Sequence, residues 1–560
     1  MLYWLDISRG PGSATLITSR SKSVLCKVQA KVEVVLSLPK EESWKLFCCH
    51  AFESDGALPT TLEELARDVC EECKGLPLAL KVIGSAMADK ATVAEWRCAL
   101  HDLRRSKPIV DSNVDDELFG RLELSYKELK DDATRICFLY FAAFPEDYEI
   151  EADKLLRMWV AEELFGLDLS VEEAKDKARA HLEILVRRSL IDWNQGSKYV
   201  HIYDVLRDLA MHIIGKAERG ECGYECFFQS RKENAIIPET ELLKDLKRMS
   251  FMSCNICKWP EDLQMPHLKV CILREISDIQ RELLTDIFKK MPNLKFLDLS
   301  SNNLLDGQVP YFGSLVSLTH LELQRNPFHE FPMSVVNLYK LVSLNVAKCG
   351  SLEALPESIG NLNSLVDLDL NICRSLKALP KSIGNLNSLV KLNLRDCQSL
   401  EALPKSIGNL NSLVDLDLFR CRSLKALPES IGNLNSLVKL NLYGCRSLEA
   451  LQESIGNLNS LVELNLSACV SLKALPDSIG NLNSLVDFDL YTCGSLKALP
   501  KSIGNLNSLV KLNLGDCQSL EALPKSIGNL NSLVDLDLFR CRSLKALPES
   551  IGNLNSLVKL

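Results

Sequence analysis

One short phrase recurs through the second half of this chain and governs what it can fold into. Leu365-x-x-Leu368-x-Leu370-x-x-Cys373 returns as Leu389-x-x-Leu392-x-Leu394-x-x-Cys397, and so on every 24 residues to the end at Leu560. Cysteine marks each turn: Cys349, Cys373, Cys397, Cys421, Cys445, Cys469, Cys493, Cys517 and Cys541. Two earlier turns carry Asn302 and Asn326 in that place. A fixed period of this length belongs to a solenoid, and the phrase L-x-x-L-x-L-x-x-N/C-x-L is that of leucine-rich repeats.

Within a turn, Val366-Asp367-Leu368-Asp369-Leu370 alternates, so it reads as a short strand with Leu368 and Leu370 inward. Neighbouring turns are expected to stack as a parallel sheet, roughly 4.8 Å apart. Leu376, Leu379, Ile383 and Leu386 supply further inward side chains, and Pro380 and Gly384 turn the chain back. No single turn buries its apolar side alone; stacking creates the core. An inward asparagine at the strand exit would bond backbone groups that the turn leaves unpaired. Cysteine there is smaller and a weak donor. The nine are read as buried structural thiols rather than as a metal or redox ladder, since buried thiols are inert.

The outward positions vary while the frame does not. The two residues before each cysteine read Asn371-Ile372, Arg395-Asp396, Phe419-Arg420, Tyr443-Gly444, Ser467-Ala468, Tyr491-Thr492, Gly515-Asp516 and Phe539-Arg540. Exposed aromatic and arginine side chains anchor protein interfaces. Arg395, Phe419, Arg420, Tyr443, Tyr491, Phe539 and Arg540 are therefore assigned to a partner-binding surface on the concave sheet. A second column reads Asp367, Lys391, Asp415, Lys439, Glu463, Asp487, Lys511, Asp535 and Lys559. Opposite charges on adjacent strands pair laterally and favour register and solubility. Asp369, Asp417, Asp489 and Asp537 add second carboxylates; exposed beside lysines, they are given no catalytic or metal role. Residues 396–440 reappear unchanged as 516–560, five repeats on. The last turn has no polar cap, so the chain is expected to be truncated at its C-terminus.

At 560 residues the chain exceeds one core, so several domains are expected. A net charge of −9 argues against a dedicated nucleic-acid binder. No run of 18 apolar residues exists, so no membrane span is expected, and the N-terminus does not read as a secretory signal. Without such a signal, 21 cysteines read as reduced thiols of a cytoplasmic protein.

Ahead of the repeats, Ala14–Arg20 reads as a buried strand with Arg20 at its polar tip, a position that suits a phosphate. Residues 41–112 are helical in pattern, with Gly75 ending one helix and Pro77 opening the next. Cys70-x-x-Cys73 and Cys254-x-x-Cys257 are lone pairs, and no metal is assigned to them. Residues 113–215 form a second helical unit containing the apolar run Ile136–Phe144, and Asp204 is placed as the cap of a helix. Residues 216–290 read as a linker with a degenerate first repeat, and 291–560 as the solenoid.

These blocks, in this order, resemble the plant nucleotide-binding leucine-rich-repeat immune receptors. Ser13–Arg20 looks like their strand ending in a sensor arginine, and Trp44-Lys45-Leu46-Phe47 through Phe52 like the block after it. Gly75-Leu76-Pro77-Leu78-Ala79 matches the family's GLPLA motif. Cys137-Phe138-Leu139-Tyr140 through Phe144-Pro145-Glu146-Asp147 matches its CFLY and FPED blocks. Val205–Ala210 follows the position of its MHD motif, and the wording is closest to the helper-type branch. The resemblance implies an α/β fold class: a partial NB-ARC module followed by the solenoid. Residues 1–40 would be the remnant of the nucleotide-binding domain, 41–112 a helical ARC1-like domain and 113–215 a winged-helix ARC2-like domain. It also implies an ADP/ATP switch in which Arg20 contacts phosphate, Pro77 packs near adenine, and Tyr203 and Asp204 occupy the MHD site. Two departures weaken that. The G-x-x-x-x-G-K-[ST] loop and its companion acidic strand are missing, and a phenol at Tyr203 replaces the family's histidine. Nucleotide affinity is accordingly expected to be weak or nil, with no ATP hydrolysis, and the chain is expected to be truncated at its N-terminus as well. The family's partners would be proteins: a pathogen effector, a guarded host protein or another immune receptor. The competing reading is a truncated paralogue that acts as a non-nucleotide-binding scaffold or regulator.

Overall fold

A computed structural model of the chain describes residues 33, 35–52, 60–105, 114–218 apart from 167 and 195, 225–276 apart from 234, 236, 238, 239, 257, 258 and 261, and 281–560. The expected strand Ala14–Arg20 lies outside these residues, and so does Cys257.

The chain forms two compact units. The first runs up to Leu129 and takes in Arg187–Ser189. Its described part is five helices: α1 (Lys40–Ala51), α2 (Thr60–Glu72), α3 (Pro77–Met87), α4 (Val93–Arg105) and α5 (Val114–Lys127). Phe47, Val69, Leu80, Ile83, Trp96 and Leu103 fill its core. Pro77 opens α3, where its missing N–H is no loss. Gly75 is required between α2 and α3. Its φ is +69°, and a Cβ there would meet the Leu38 carbonyl oxygen at 2.5 Å. Cys70 and Cys73 are buried free thiols at the end of α2. The Arg188 guanidinium donates to Asp89 at 2.7 Å and to the Ala86 carbonyl at 3.1 Å. Helix α5 belongs to this unit, although the sequence places it with the domain beginning at 113.

The second unit holds Lys130–Val186 and Leu190–Leu560. It starts with α6 (Asp132–Leu139), strand β1 (Ile150–Glu151), α7 (Ala152–Ala161), α8 (Val171–Arg187), strand β2 (Tyr199–Val200) and α9 (Asp204–Glu218). Strands β1 and β2 pair antiparallel. Asp131 caps α6, accepting from the Thr134 N–H at 2.8 Å. Asp204, by contrast, is the first residue inside α9, and it is the Tyr203 carbonyl that takes the first helical N–H groups.

The solenoid is one sheet of 14 parallel strands, and it starts earlier than the expected 291. Three strands lie in the stretch read as a linker with a degenerate repeat: β3 (Cys226–Ser230), β4 (Arg248–Met252) and β5 (Val270–Arg274), the last at the expected repeat around Cys271. A helix, α10 (Arg281–Phe288), follows, then β6 (Phe296–Asp298), β7 (His320–Glu322) and β8 (Ser343–Asn345). The regular repeats contribute β9 (Asp367–Asp369), β10 (Lys391–Asn393), β11 (Asp415–Asp417) and β12 (Lys439–Asn441). The last four are β13 (Glu463–Asn465), β14 (Asp487–Asp489), β15 (Lys511–Asn513) and β16 (Asp535–Asp537). The register is set by the repeat: Leu368 pairs with Leu392 and Leu392 with Leu416, all fully buried.

Each regular strand leads, through a Pro or Gln, into a short 3₁₀ turn such as Lys381–Asn385 after Pro380. Adjacent 3₁₀ turns stack closely: a Cβ on Gly384 would stand 2.2 Å from the Ser406 carbonyl oxygen. Single bridges such as Ala378 to Ala402 form a second, minor parallel ladder between turns. Eight ladder cysteines are buried and Cys541 is half-buried; all are free thiols. Each Sγ–H donates to a carbonyl of the preceding turn, Cys373 to Val346 at 3.3 Å and Cys397 to Leu370 at 3.2 Å. Burial pushes the Cys421 thiol up to about 12, which makes it inert. Asn326 carries more load than any cysteine. Its Nδ2 donates to Leu299 and Leu323, and its Oδ1 accepts from Asn302 and Leu304.

Candidate recognition surface

The outward side of the sheet divides in two. From β4 to β7 it carries buried charge. Lys154 and Arg157 on α7 pair with Asp298 and Glu322, the latter with an N–O separation of 2.9 Å. Arg248 forms a bidentate pair with Glu162, at 2.5 and 2.8 Å, and Glu162 also accepts from the Tyr140 hydroxyl. The Ser250 hydroxyl donates to the Ala143 carbonyl at 2.8 Å. Burial alone would raise the Asp298 pKa, but Lys154 and Arg274 outweigh it and hold the carboxyl below its ordinary range. His320 is pushed down to about 3 by burial and by Arg157 and Lys175, so it stays neutral. The winged-helix segment is thereby fastened to this part of the sheet through paired charges. The sequence reading missed these residues. Their signal was charge inside the early repeats, with Asp298 and Glu322 where the later repeats carry either Asp or Asn.

A cleft of about 810 Å³ continues from there. Arg157, Lys175 and Arg179 line one side, and Asp367, Asp369, Asp415 and Asp417 the other. A longer groove of about 1990 Å³ follows the Gly-Asn-Leu-Asn segments, where Asn385, Asn387 and their counterparts present neutral carboxamides.

The cleft reaches β11 and has Arg395 in its lining; beyond it the sheet face is open, and the candidate partner-binding residues stand just past the strand ends. The amide N–H of Phe419 donates to Asp417 Oδ1 at 3.0 Å. Arg395, Tyr443, Tyr491 and Phe539 are fixed in the same way by Asn393, Asn441, Asp489 and Asp537. Asp and Asn interchange in this role because only a side-chain acceptor two residues back is needed. That accounts for the second carboxylates: they hold the turn.

Four of the seven candidates form one stack. The Phe419 and Tyr443 rings are 4.7 Å apart at 10°. The Arg395 guanidinium lies 4.2 Å from the Phe419 centroid and pairs with Asp417 at 3.1 Å. Arg420 lies 4.9 Å from Phe419 and 6.0 Å from Tyr443. Phe539 and Arg540 form a second contact at 5.0 Å, with Phe539 60% exposed. Tyr491 stands between the two clusters, 41% exposed.

The residues assigned to a nucleotide fall in different parts of the chain. Arg20 lies outside it. Pro77 is exposed at the start of α3 in the first unit. Tyr203, 45% exposed, and Asp204 belong to the second. Among the described residues no helix is long and apolar enough to cross a membrane.

Comparison with known proteins agrees with this architecture. The profile described as Disease resistance protein Winged helix domain matches residues 143–210. The profile described as Leucine-rich repeat region matches 370–471 and 453–560, and Leucine Rich Repeat matches 293–315. A probable disease resistance protein of Arabidopsis thaliana is 32% identical over 357 residues, covering 62% of this chain and 40% of that protein. The Arabidopsis disease resistance protein RPS5 is 29% identical over 350 residues, covering 62% and 39%. This chain thus spans about two fifths of the length of these relatives. Among solved structures, a Leptospira interrogans LRR protein matches with 26% identity and a TM-score of 0.35, covering 57% of this chain and 84% of that one. Through residues 143–210 and its leucine-rich repeats, the chain is similar to plant disease resistance proteins.

Proposed function

We propose that this chain is a receptor-like recognition protein of plant defence, binding another protein through the open sheet face of β10–β16. It acts by binding and catalyses nothing. The observation that carries this reading is the outward stack of Arg395, Phe419, Arg420 and Tyr443 in a frame that otherwise hardly varies. Stacked aromatics held by guanidinium groups are pre-ordered, so little entropy is lost when a partner covers them. The winged-helix segment occupies the first part of the sheet, shares a cleft with Arg395 at β10–β11, and leaves the rest of the face open. Relatives named as disease resistance proteins support the setting in defence.

The test is affinity capture from plant extract with the full chain and with a variant carrying Phe419→Ala, Tyr443→Ala, Tyr491→Ala and Phe539→Ala. These side chains lie outside the leucine core, so the thermal midpoint should change little. The proteins retained by the unsubstituted chain are expected to be lost from the variant. Undiminished retention by a folded variant refutes the assigned surface.

A further inference from the structure

The internal copy has a consequence for recognition. Because 396–440 recurs as 516–560, Phe419-Arg420 recurs as Phe539-Arg540, five strands further along the same sheet. Both guanidiniums lie on their own phenyl rings, at 4.9 and 5.0 Å. Both are exposed, and among the described residues neither has a carboxylate within ion-pair reach. Arg395 differs, being tied to Asp417. The strand spacing puts the two anchors about 24 Å apart. Tyr491 lies along the line between them, and its ring fills the space beside Gly515, where a Cβ would come within 2.9 Å.

We propose that Phe419-Arg420 and Phe539-Arg540 are two copies of one carboxylate-reading anchor that together grip a single extended acidic segment of a partner protein. This rests on the open face being the recognition surface and specifies what it reads. An aromatic-backed guanidinium with no internal partner is an oriented cation awaiting an anion. The neighbours argue against a continuous polyanion such as nucleic acid. Asp396, Asp415 and Asp417 beside the first anchor, and Asp516, Asp535 and Asp537 beside the second, would repel closely spaced phosphates. Two short acidic sites separated by neutral residues meet less of it, because they bring negative charge only to the two guanidiniums. At about 3.3 Å per residue, the span corresponds to roughly seven residues of extended chain. Linking two weak contacts on one segment raises affinity without any new contact.

The probe is a set of fluorescein-labelled peptides, roughly twelve residues of Ser, Thr and Gly carrying Asp-Glu pairs. One set member has two pairs about seven residues apart, others have them about three or ten apart, and one has a single pair. Anisotropy titration against the full chain should show the seven-residue spacing binding about ten-fold or more tightly than the rest. Arg420→Gln and Arg540→Gln should each reduce it to the single-pair level. The proposal is overturned if no peptide binds, if all spacings bind alike, if the arginine variants bind as before, or if an oligothymidylate of similar length binds more tightly. If the four aromatic replacements abolish capture from extract while the arginine variants retain the partner, the recognition surface stands and this anchor assignment alone falls.

Discussion

The first six strands of the solenoid and the last eight share one inward framework and use their outward sides in opposite ways. In β3–β8 the outward positions hold Arg248, Asp298, His320 and Glu322, all buried. In β9–β16 the same side holds Asp, Lys and Glu that are half-buried or exposed. The leucines decide that a sheet forms. The outward side chains decide whether its face is consumed within the chain or left for another molecule. The strand exits differ likewise: the Asn326 side chain makes five hydrogen bonds where each later cysteine thiol makes one. The irregular part is therefore held by specific polar contacts, and the regular part by repetition of apolar ones.

The contrast breaks most sharply at the buried pairs. Lys154→Met leaves Asp298 in the interior without its nearest cation, and removal of one partner of such a pair costs about 3–5 kcal/mol. Denaturant unfolding should show this loss, and the double variant Lys154→Met with Asp298→Leu should recover most of it. A double variant as unstable as the single one would mean that the pair is not what couples winged helix and sheet.

An intermediate effect is expected at the junction of the two regions. Burial first, and then Asp367, raise the Asp369 pKa to about 6, against the N–H bond from Asn371. A carboxyl with a raised folded pKa binds its proton more tightly when folded. Its contribution is therefore full below the unfolded value near 3.8 and is lost as pH rises through about 6. Asp369→Asn keeps the acceptor for the Asn371 amide, as Asn393 does one repeat later. It should stabilise the chain at pH 7 by about 1–2 kcal/mol and remove the decline between pH 4 and 6. Equal stability of the two chains at pH 7 would show that Asp369 is solvated like its open-face counterparts.

The smallest effect concerns the charge ladder. Acid and base alternate between neighbouring strands except at β13 and β14, where Glu463 stands beside Asp487. Lys439 pairs with Glu463 at 2.7 Å and offsets that repulsion. Lys439→Gln should cost about 0.2–1 kcal/mol, and the loss should shrink with added salt. A salt-independent loss would point to packing of the lysine stem instead.

The repeat, its strand register, the inward leucines and the buried cysteines were all legible in the sequence, because a 24-residue period leaves one way to stack. The same period showed which outward residues vary, and so pointed to Phe419, Tyr443 and their arginines. The strand β5 was legible as the degenerate repeat Leu268-x-x-Cys271-x-Leu273, but β3 and β4 were not: their spacing is irregular, and β4 is buried at every position, so no alternation marks it. Asp204 was placed one position too far out for the same kind of reason: capping depends on where the first helical N–H falls.

By itself the sequence determined the solenoid, since each turn is insoluble alone and satisfied only by a copy of itself. It also determined that an aromatic and arginine column would run beside the sheet. Only the tertiary structure decided which part of the sheet face remains open. That depends on Lys154 and Arg157 meeting Asp298 and Glu322 across about 144 and 165 residues of chain. Such pairs form because a buried charge must find its opposite, and no local pattern in the chain announces where that opposite lies.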